Sequence, residues 1–414
     1  MGSRSWGLKL AFVWGGELVS VLTSSVLQMG FIWHVALETG SAGTLSLASL
    51  AGFLPLALLG PVAGAVVDRL PLRTTLVGAD LFIAAVSAVV ALVSLAGPLP
   101  VWVVVAALFA RAVGSALHTP AFQALTPLVA PPEHLTRLAG VTQAVQSGGY
   151  ILGCALAAAI YPVWGLTAMV ALDVAGALVA TAAVLAAGLD VGGAPAGEGA
   201  PEVSGRMRAL AAEMGEGWRV LRADRGLFAL LWCGFAFTLA FAPVSALFPI
   251  MTLDHFGGTT ADAAVAEIAF SLGMIAGSAL LTATGGLRDR ALTVVAATAL
   301  YGAATLGAGL LGPEGFPAFL AASVVMGLGS PFYSGPQTAL MQERVPPECL
   351  GRVFGLYGAV MSWALPLGLA LSSAFADSVG APAWFAGAGA AMLVLAALTW
   401  LVPSIRVLDR DRRA

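Results

Sequence analysis

Long apolar runs alternate with short polar stretches along the whole chain. Each run has roughly 20 or more residues, the length that a helix needs to cross about 30 Å of hydrocarbon. Charged residues make up 10% of the chain and hydrophobic residues 59%, whereas soluble domains carry roughly 25% charge. The pattern predicts an all-α, polytopic membrane protein with twelve transmembrane helices, at residues 9–36, 45–67, 74–96, 101–120, 138–160, 164–188, 226–252, 261–284, 291–311, 316–341, 351–376 and 383–402.

The basic residues lie on one side of these predicted spans. Of the 19 Lys and Arg residues, 18 fall near the two termini, in the even-numbered loops or in the middle of the chain. The exception, Arg111, lies within the fourth run. Basic residues that flank a span stay in the cytoplasm. We therefore expect a multi-pass protein of a bacterial inner membrane with both termini in the cytoplasm.

The chain contains an internal repeat. Residues 130–153 align without a gap on residues 345–368, with Arg137 matching Arg352 and Gly153 matching Gly368. Each copy is a polar loop that leads into the fifth span of its half. Such repeats are typical of transporters built from two six-helix bundles with the substrate between them, although chance similarity of two Pro-initiated loops is the alternative. The predicted organisation is two pseudo-symmetric six-helix bundles at 1–188 and 226–403, a cytoplasmic linker at 189–225 and a cytoplasmic tail at 404–414.

The linker between the halves has two parts. Residues 190–204 are rich in Gly, Ala and Pro, which predicts a flexible segment. Residues 207–221 repeat apolar side chains at helical spacing, which predicts a short amphipathic helix. Its Arg and Trp residues fit a helix on the inner leaflet, and a tether packed under the bundle fits equally well.

The loop after the second predicted span has the features of a breakable latch. Gly64 permits close helix approach, Asp68 can accept hydrogen bonds from a helix N-terminus, and Arg69 and Arg73 can reach carboxylates or phosphates. An anchor that only keeps the loop cytoplasmic is the alternative. The Asp-Arg pair returns after span eight, and Arg352 at the start of span eleven is the expected partner of the latch. The candidate cytoplasmic gate comprises Gly64, Asp68, Arg69, Arg73, Asp80, Asp289, Arg290 and Arg352.

Ionisable residues inside the predicted spans are candidates for proton coupling. A charge at that depth is costly and is usually functional. The candidates are Glu17, Arg111, Asp173 and Glu267, while Asp80 lies nearer the cytoplasmic end and can belong to the latch instead. Asp173 also fits a static helix–helix partner. We expect Glu17 to load and release a proton, with Arg111 as its mobile counter-charge.

Several motifs resemble those of the major facilitator superfamily. The latch loop fits the pattern G-x-x-x-D-R-x-x-x-R from Gly64 to Arg73, and Arg111 with Gly114 is similar to the family's basic motif in span four. That motif is implicated in proton transfer in proton-coupled members. Gly149 and Gly153 resemble the antiporter motif of span five, but the Pro expected after the second Gly is absent.

Within that superfamily the chain resembles bacterial drug exporters of the macrolide-efflux type, related to the enterobactin exporter. The segments that carry this likeness are 14–20, 64–73, 111–123 and 348–355, so it spans nearly the whole chain. The family usually has Gln where this chain has Glu17. The resemblance implies export of small molecules driven by the proton gradient, with substrates that vary widely between members. A monomer is the default for this architecture, and no cofactor is expected.

A polar stripe on the first span indicates a wet cavity. Glu17, Ser20, Ser24 and Gln28 follow helical spacing and share one face. An apolar, aromatic cavity with a few hydrogen-bonding groups suits a large amphipathic ligand. The candidate cavity residues are Ser20, Ser24, Gln28, Phe31, Gln143, Gln146, Tyr150, Tyr357 and Trp363.

The predicted function is export of hydrophobic or amphipathic compounds, antibiotic or siderophore-like, in exchange for protons. A lipid or lysolipid transporter is the first alternative, and a non-transporting receptor or scaffold is the second. An enzyme or ATP-driven pump is disfavoured because the sequence has no G-x-x-x-x-G-K-[ST] phosphate loop. The three cysteines have no metal-ligand spacing, and no metal or nucleic-acid partner is expected.

Overall fold

The structure is a computed structural model that describes residues 5–67, 70–130, 134–188, 214–285, 289–346 and 349–407. Within these ranges it contains helices and connecting turns and no β-strand. The helices are α1 (Ser5–Thr39), α2 (Ala42–Val67), α3 (Leu72–Ala96), α4 (Val101–Val129), α5 (Leu135–Ala186), α6 (214–223), α7 (Arg225–Ile250, followed by a π-helical turn at Met251–His255), α8 (Thr260–Thr284), α9 (Arg290–Gly309), α10 (Phe316–Arg344), α11 (Leu350–Val379), α12 (Ala381–Leu401) and α13 (Pro403–Val407).

Eleven helices in the described part of the chain are long and apolar enough to cross a membrane. The prediction of an all-α, polytopic membrane protein is confirmed. The fifth helix has 52 residues and contains the fifth and sixth predicted spans, which meet at Gly165. Gly165 has a φ of 65° and a ψ of −170°, a conformation that is essentially restricted to glycine. Its missing β-carbon therefore allows the chain to break the helix between two spans.

The helices divide into two compact units, which are described separately. Unit 1 contains Met1–Thr39 and Ala48–Val203, and unit 2 contains Gly40–Leu47 and Ser204–Ala414. In unit 1, α1 packs along α5, and α3 packs against both α4 and α5. In unit 2, α8 packs on α10, α9 on α10 and α12, and α7 on α11 and α12.

The linker helix α6 belongs to the apolar core of unit 2. Leu221 of α6 is completely buried, in a cluster that also contains Leu231, Val353 and Ile405. The segment therefore packs against the bundle, as the tether alternative requires. The described helix ends at residue 223 because Asp224 is extended and caps α7 with its side chain. Residues 207–213 of the predicted helix lie outside the described residues.

The internal repeat is visible in the backbone of both units. The caps of α5 and α11, His134 and Cys349, have the same dihedral angles, a φ of −102° and a ψ of −9°. A β-carbon on Gly153 would collide with α1 at Leu22 and Ser25, and one on the matching Gly368 would collide with α7. The repeated glycines therefore permit the same close helix contact in each half.

A pair of histidines extends this correspondence to the opposite ends of the bundles. Nε2 of His34, on α1, lies 2.9 Å from the carbonyl oxygen of Leu99, which precedes α4. Nε2 of His255, in the π-helical turn after α7, lies 2.8 Å from the carbonyl oxygen of Leu311, which precedes α10. In each half, the histidine ties the end of the first helix to the loop before the fourth helix.

Candidate functional site

A buried ion pair joins two helices of unit 1. Arg111 of α4 donates through Nη1 to Oδ2 of Asp173 on α5, and through Nη2 to Oδ1 at 3.1 Å. The two residues are 9% and 1% exposed, respectively. Bidentate pairing of this kind fixes the relative orientation of both side chains. An isolated charge at this depth is costly, and pairing within the bundle removes much of that cost.

Two serines complete the hydrogen bonding of this carboxylate. Ser24 of α1 donates to Oδ1 of Asp173 at 2.9 Å, and Ser87 of α3 donates to Oδ2 at 2.7 Å. Each oxygen of Asp173 therefore accepts from one arginine nitrogen and one hydroxyl group. The carboxylate of Asp173 thus connects α1, α3, α4 and α5. We call the group of Ser24, Ser87, Arg111 and Asp173 the upper cluster.

A second group, the lower cluster, is formed by the buried Glu17 and Asp80 and the partly buried His118 and Gln146. Nε2 of His118 lies 3.7 Å from Oε2 of Glu17 and 3.4 Å from Oδ1 of Asp80. Gln146 donates from Nε2 to Oε1 of Glu17 at 3.0 Å. One imidazole thus lies within 4 Å of two carboxylates inside the bundle.

The two clusters lie two helical turns apart on three of the same helices. Glu17 and Ser24 are seven residues apart on α1, Asp80 and Ser87 on α3, and Arg111 and His118 on α4. Side chains seven residues apart share a helix face and are separated by about 10 Å along the helix axis. Unit 1 therefore contains two polar levels on shared helix faces.

The clusters differ in how completely they are hydrogen-bonded. Both oxygens of Asp173 are satisfied, whereas the buried Oδ2 of Asp80 has no hydrogen-bond partner among the described residues. The separations from His118 also exceed the usual hydrogen-bond length of about 3 Å. The upper cluster is therefore a closed network, and the lower cluster is a loose one in which partners can be exchanged.

These pairings differ from the expected ones. Arg111 was expected to be the counter-charge of Glu17, but its carboxylate partner is Asp173 and the basic group beside Glu17 is His118. Asp80 lies beside the same imidazole, at 3.4 Å. His118 and Ser87 were not among the candidate residues. The sequence does contain a signal for them. Ser87 follows Asp80, and His118 follows Arg111, by the same seven residues that separate Glu17 from Ser24.

The remaining coupling and cavity candidates lie in several places. Glu267 is half-buried on α8 in unit 2. Gln146, which was predicted to line the cavity, donates a hydrogen bond to Glu17. Phe31 is completely buried in unit 1, and its assignment to the cavity stays a prediction.

The other cavity candidates keep some exposure where the structure describes them. Ser20, Gln28 and Tyr150 are partly exposed on α1 and α5, and Trp363 is exposed on α11. Tyr357 donates to Oε1 of Gln337 at 3.1 Å, which links α11 to α10. The side chain of Gln143 lies outside the described part.

The candidate gate is described in part. Arg73 is exposed in the first turn of α3, and Asp289 caps α9 by accepting from the Leu292 amide at 3.0 Å. Asp68 and Arg69, and the surroundings of Gly64, lie outside the described residues.

Two gate arginines have carboxylate partners within unit 2. Arg290 pairs with Glu343, and Arg352 pairs with Glu216 of α6 at 3.0 Å. Arg352 is therefore held by the linker helix. Among the described residues, no group of three or more His, Cys, Asp or Glu side chains is arranged to hold a metal ion.

Comparisons with known proteins agree on one family. The model of the Major Facilitator Superfamily matches residues 13–360 and 269–413. Macrolide efflux protein A of Streptococcus pyogenes is 42% identical over 410 residues, 98% of each chain. The multidrug efflux pump Tap of Mycolicibacterium fortuitum is 29% identical over 398 residues, 93% of each chain. A crystal structure of a POT family transporter in complex with a thioalcohol-conjugated peptide has a TM-score of 0.70, with 13% identity and 96% of each chain covered, a likeness of fold alone.

Proposed function

Because this chain belongs to the Major Facilitator Superfamily, we propose that it exports hydrophobic or amphipathic drug-like molecules across a membrane in exchange for protons. The likeness to two named efflux proteins over nearly the whole chain supports the substrate class and the direction. The observation that carries the coupling is the pair of buried ionisable clusters in unit 1. A membrane bundle retains such groups mainly where they take part in transport.

The lower cluster is the proposed proton site. Glu17 binds a proton from the outside when the bundle is open to that side, and releases it when the cytoplasmic side opens. His118 lies 3.7 Å from Glu17 and 3.4 Å from Asp80, so the imidazole can relay a proton between the two carboxylates. The loose contacts of this cluster support exchange, because no partner has to leave a complete hydrogen-bond network.

The upper cluster is proposed to position the lower one. Arg111 and His118 are on the same face of α4, so the ion pair with Asp173 sets the rotation of α4 and thereby the direction of the imidazole. The hydroxyl groups of Ser24 and Ser87 hold α1 and α3 to the same carboxylate. The positions of α1 and α3, which carry Glu17 and Asp80, are thus fixed relative to α4.

We further propose that the protein is a monomer in a bacterial inner membrane with both termini in the cytoplasm. The sorting of basic residues supports this orientation. Trp102 at the start of α4 and Trp164 beside Gly165 are 72% and 67% exposed, at the ends of spans away from the basic loops. Exposed Trp at such positions is typical of the membrane interface.

Counterflow in proteoliposomes tests the proposal. Purified protein is reconstituted, a proton gradient is imposed, and the movement of a panel of amphipathic antibiotics, including macrolides, is followed together with the internal pH. Wild-type protein is expected to move protons only when substrate moves. Glu17→Gln is expected to lose uphill transport and to keep substrate binding, because the amide has the same shape and cannot exchange a proton.

Glu314→Gln is the matched control, since Glu314 is an exposed carboxylate in the loop between α9 and α10. This variant is expected to transport like wild type. Full proton-coupled export by Glu17→Gln would refute Glu17 as the proton carrier. Substrate movement without any proton movement by wild type would refute exchange altogether.

A further inference from the structure

Three arginines at the junction of α6 and α7 are exposed and have no described ion-pair partner. Arg219 and Arg222 lie on α6 and Arg225 is the first residue of α7. By contrast, Arg344 lies 3.7 Å from Asp224. The junction therefore presents three positive charges within seven residues that the described protein does not neutralise.

The two carboxylates that the structure describes between residues 214 and 225 are already engaged. Glu216 pairs with Arg352, and Asp224 accepts from the amides of Gly226 and Leu227 at the start of α7. Neither carboxylate is available to balance the exposed arginines without giving up its present contacts. The positive charge of the junction is thus a stable feature of this surface.

Aromatic rings continue from this junction into the span. Phe228 and Trp232 follow Arg225 on one face of α7, and Trp232 is 44% exposed. The ring of Phe228 lies 5.4 Å from Trp218 of α6 and 6.2 Å from Trp232. Trp232 is about 10 Å further along the helix axis than Arg225, so the charged end and the exposed ring lie at different depths.

The packing of α6 keeps its arginines turned outward. A β-carbon at Gly217 would lie 2.7 Å from the carbonyl oxygen of Arg352, so the two backbones are in close contact. Leu221 is completely buried on the same side. Rotation of α6 would break both contacts, and Arg219 and Arg222 therefore stay exposed.

We propose that Arg219, Arg222, Arg225 and Trp232, the basic–aromatic patch, bind the headgroup of an anionic phospholipid in the cytoplasmic leaflet. The site rests on the proposed orientation and is independent of the transported substrate. Clustered basic residues at the cytoplasmic end of a span attract anionic lipids, and Trp below them suits the glycerol and upper acyl region. Charge complementarity and the depth of Trp232 favour a lipid over a soluble anion, which would need the arginines alone.

Lipid retention measured by native mass spectrometry of the purified full chain tests this inference. The probes are phosphatidylglycerol, phosphatidylcholine and glycerol 3-phosphate. Wild type is expected to retain phosphatidylglycerol in preference to phosphatidylcholine. The triple variant Arg219→Gln, Arg222→Gln, Arg225→Gln is expected to bind phosphatidylglycerol more weakly by on the order of 100-fold, since each basic residue near an anionic surface contributes a factor of about five.

The triple Arg→Lys variant should keep most of the preference, because it keeps the charges. Single substitutions provide a second test if the triple variant does not fold: Arg222→Gln should weaken binding about fivefold, and Glu314→Gln, which removes an exposed charge from the loop between α9 and α10, should leave it unchanged. Equal retention by wild type and the triple Gln variant would overturn the site. Displacement of the lipid by an equal concentration of glycerol 3-phosphate would overturn the assignment to a lipid.

Discussion

Arg111 and Asp173 form a bidentate ion pair in the interior of unit 1. The pair is closed by hydroxyl groups from two further helices, so one carboxylate connects four helices. Two turns away along α4, His118 lies beside Glu17 and Asp80 in a looser group. The contrast between a closed and a loose cluster leads to distinct expectations for stability and for transport.

The ion pair should show strong coupling in a double-mutant cycle. Arg111→Gln or Asp173→Asn alone is expected to lower the free energy of unfolding by about 3–5 kcal/mol, because each leaves a buried charge without its partner. The double variant should cost much less than the sum of the two. Chemical unfolding in detergent measures all four proteins, and additive losses would contradict the pairing.

Replacing Asp80 or Asp173 by Asn should affect stability and proton movement differently. Asp80→Asn is expected to cost less stability than Asp173→Asn, because Oδ2 of Asp80 has no hydrogen bond to lose within the described structure. It should nevertheless reduce proton movement in proteoliposomes. Thermal unfolding and internal-pH recording on the same preparations provide the comparison, and a larger stability loss at Asp80 would reverse the assignment of roles.

His118 should matter more for proton coupling than for folding. His118→Gln keeps a polar side chain but removes the imidazole that lies between Glu17 and Asp80. Proton-coupled export is expected to fall about 100-fold, the lower range for loss of a positioned proton-transfer group. Substrate binding, measured by equilibrium dialysis in detergent, should be retained. A variant with wild-type proton flux would exclude the imidazole from the transfer.

The close contact at Gly153 should make this position intolerant of a methyl group. A β-carbon there would lie 2.6 Å from Cβ of Ser25 and 2.8 Å from the carbonyl oxygen of Leu22, so Gly153→Ala is expected to destabilise by about 1–3 kcal/mol. A β-carbon at Gly148, on the same helix, would have no contact within 4 Å. Gly148→Ala should therefore stabilise by up to about 1 kcal/mol. Denaturation midpoints of the two variants should move in opposite directions, and equal midpoints would contradict the contact.

Gly165 offers a test of the break within α5. Gly165→Ala should lower the free energy of unfolding by about 1–3 kcal/mol, because an alanine cannot easily adopt this combination of φ and ψ. Apart from the adjoining backbone, no atom of the described chain lies within 4 Å of the position that the added methyl group would take, so the cost arises from the backbone. Unfolding in detergent, with Gly148→Ala as the control, measures it, and an unchanged stability would mean that the chain passes this point without strain.

Much of the architecture followed from the pattern of the sequence. The apolar runs predicted the spans, and the family model and the full-length likeness to Macrolide efflux protein A confirm the resemblance that the motifs indicated. The same relatives are named as efflux proteins, which agrees with the prediction of a transporter and not an enzyme. The orientation of the termini stays a prediction.

The pairing of the ionisable residues inside unit 1 was harder to predict from the sequence. The sequence indicated Glu17, Arg111 and Asp173 as buried ionisable residues, and the structure buries all three. It did not indicate that Arg111 would pair with Asp173, or that His118 would lie beside Glu17. The spacing within α1, α3 and α4 was present, but it became meaningful only once the depths of these helices were known.

The sequence by itself determined the apolar, membrane-spanning character of the helices and the ionisable residues that they contain, because hydrocarbon thickness and the cost of buried charge act on each segment separately. The tertiary structure decided which of these residues are neighbours. That choice depends on the rotation and depth of helices that are distant along the chain, which no periodicity within one helix specifies.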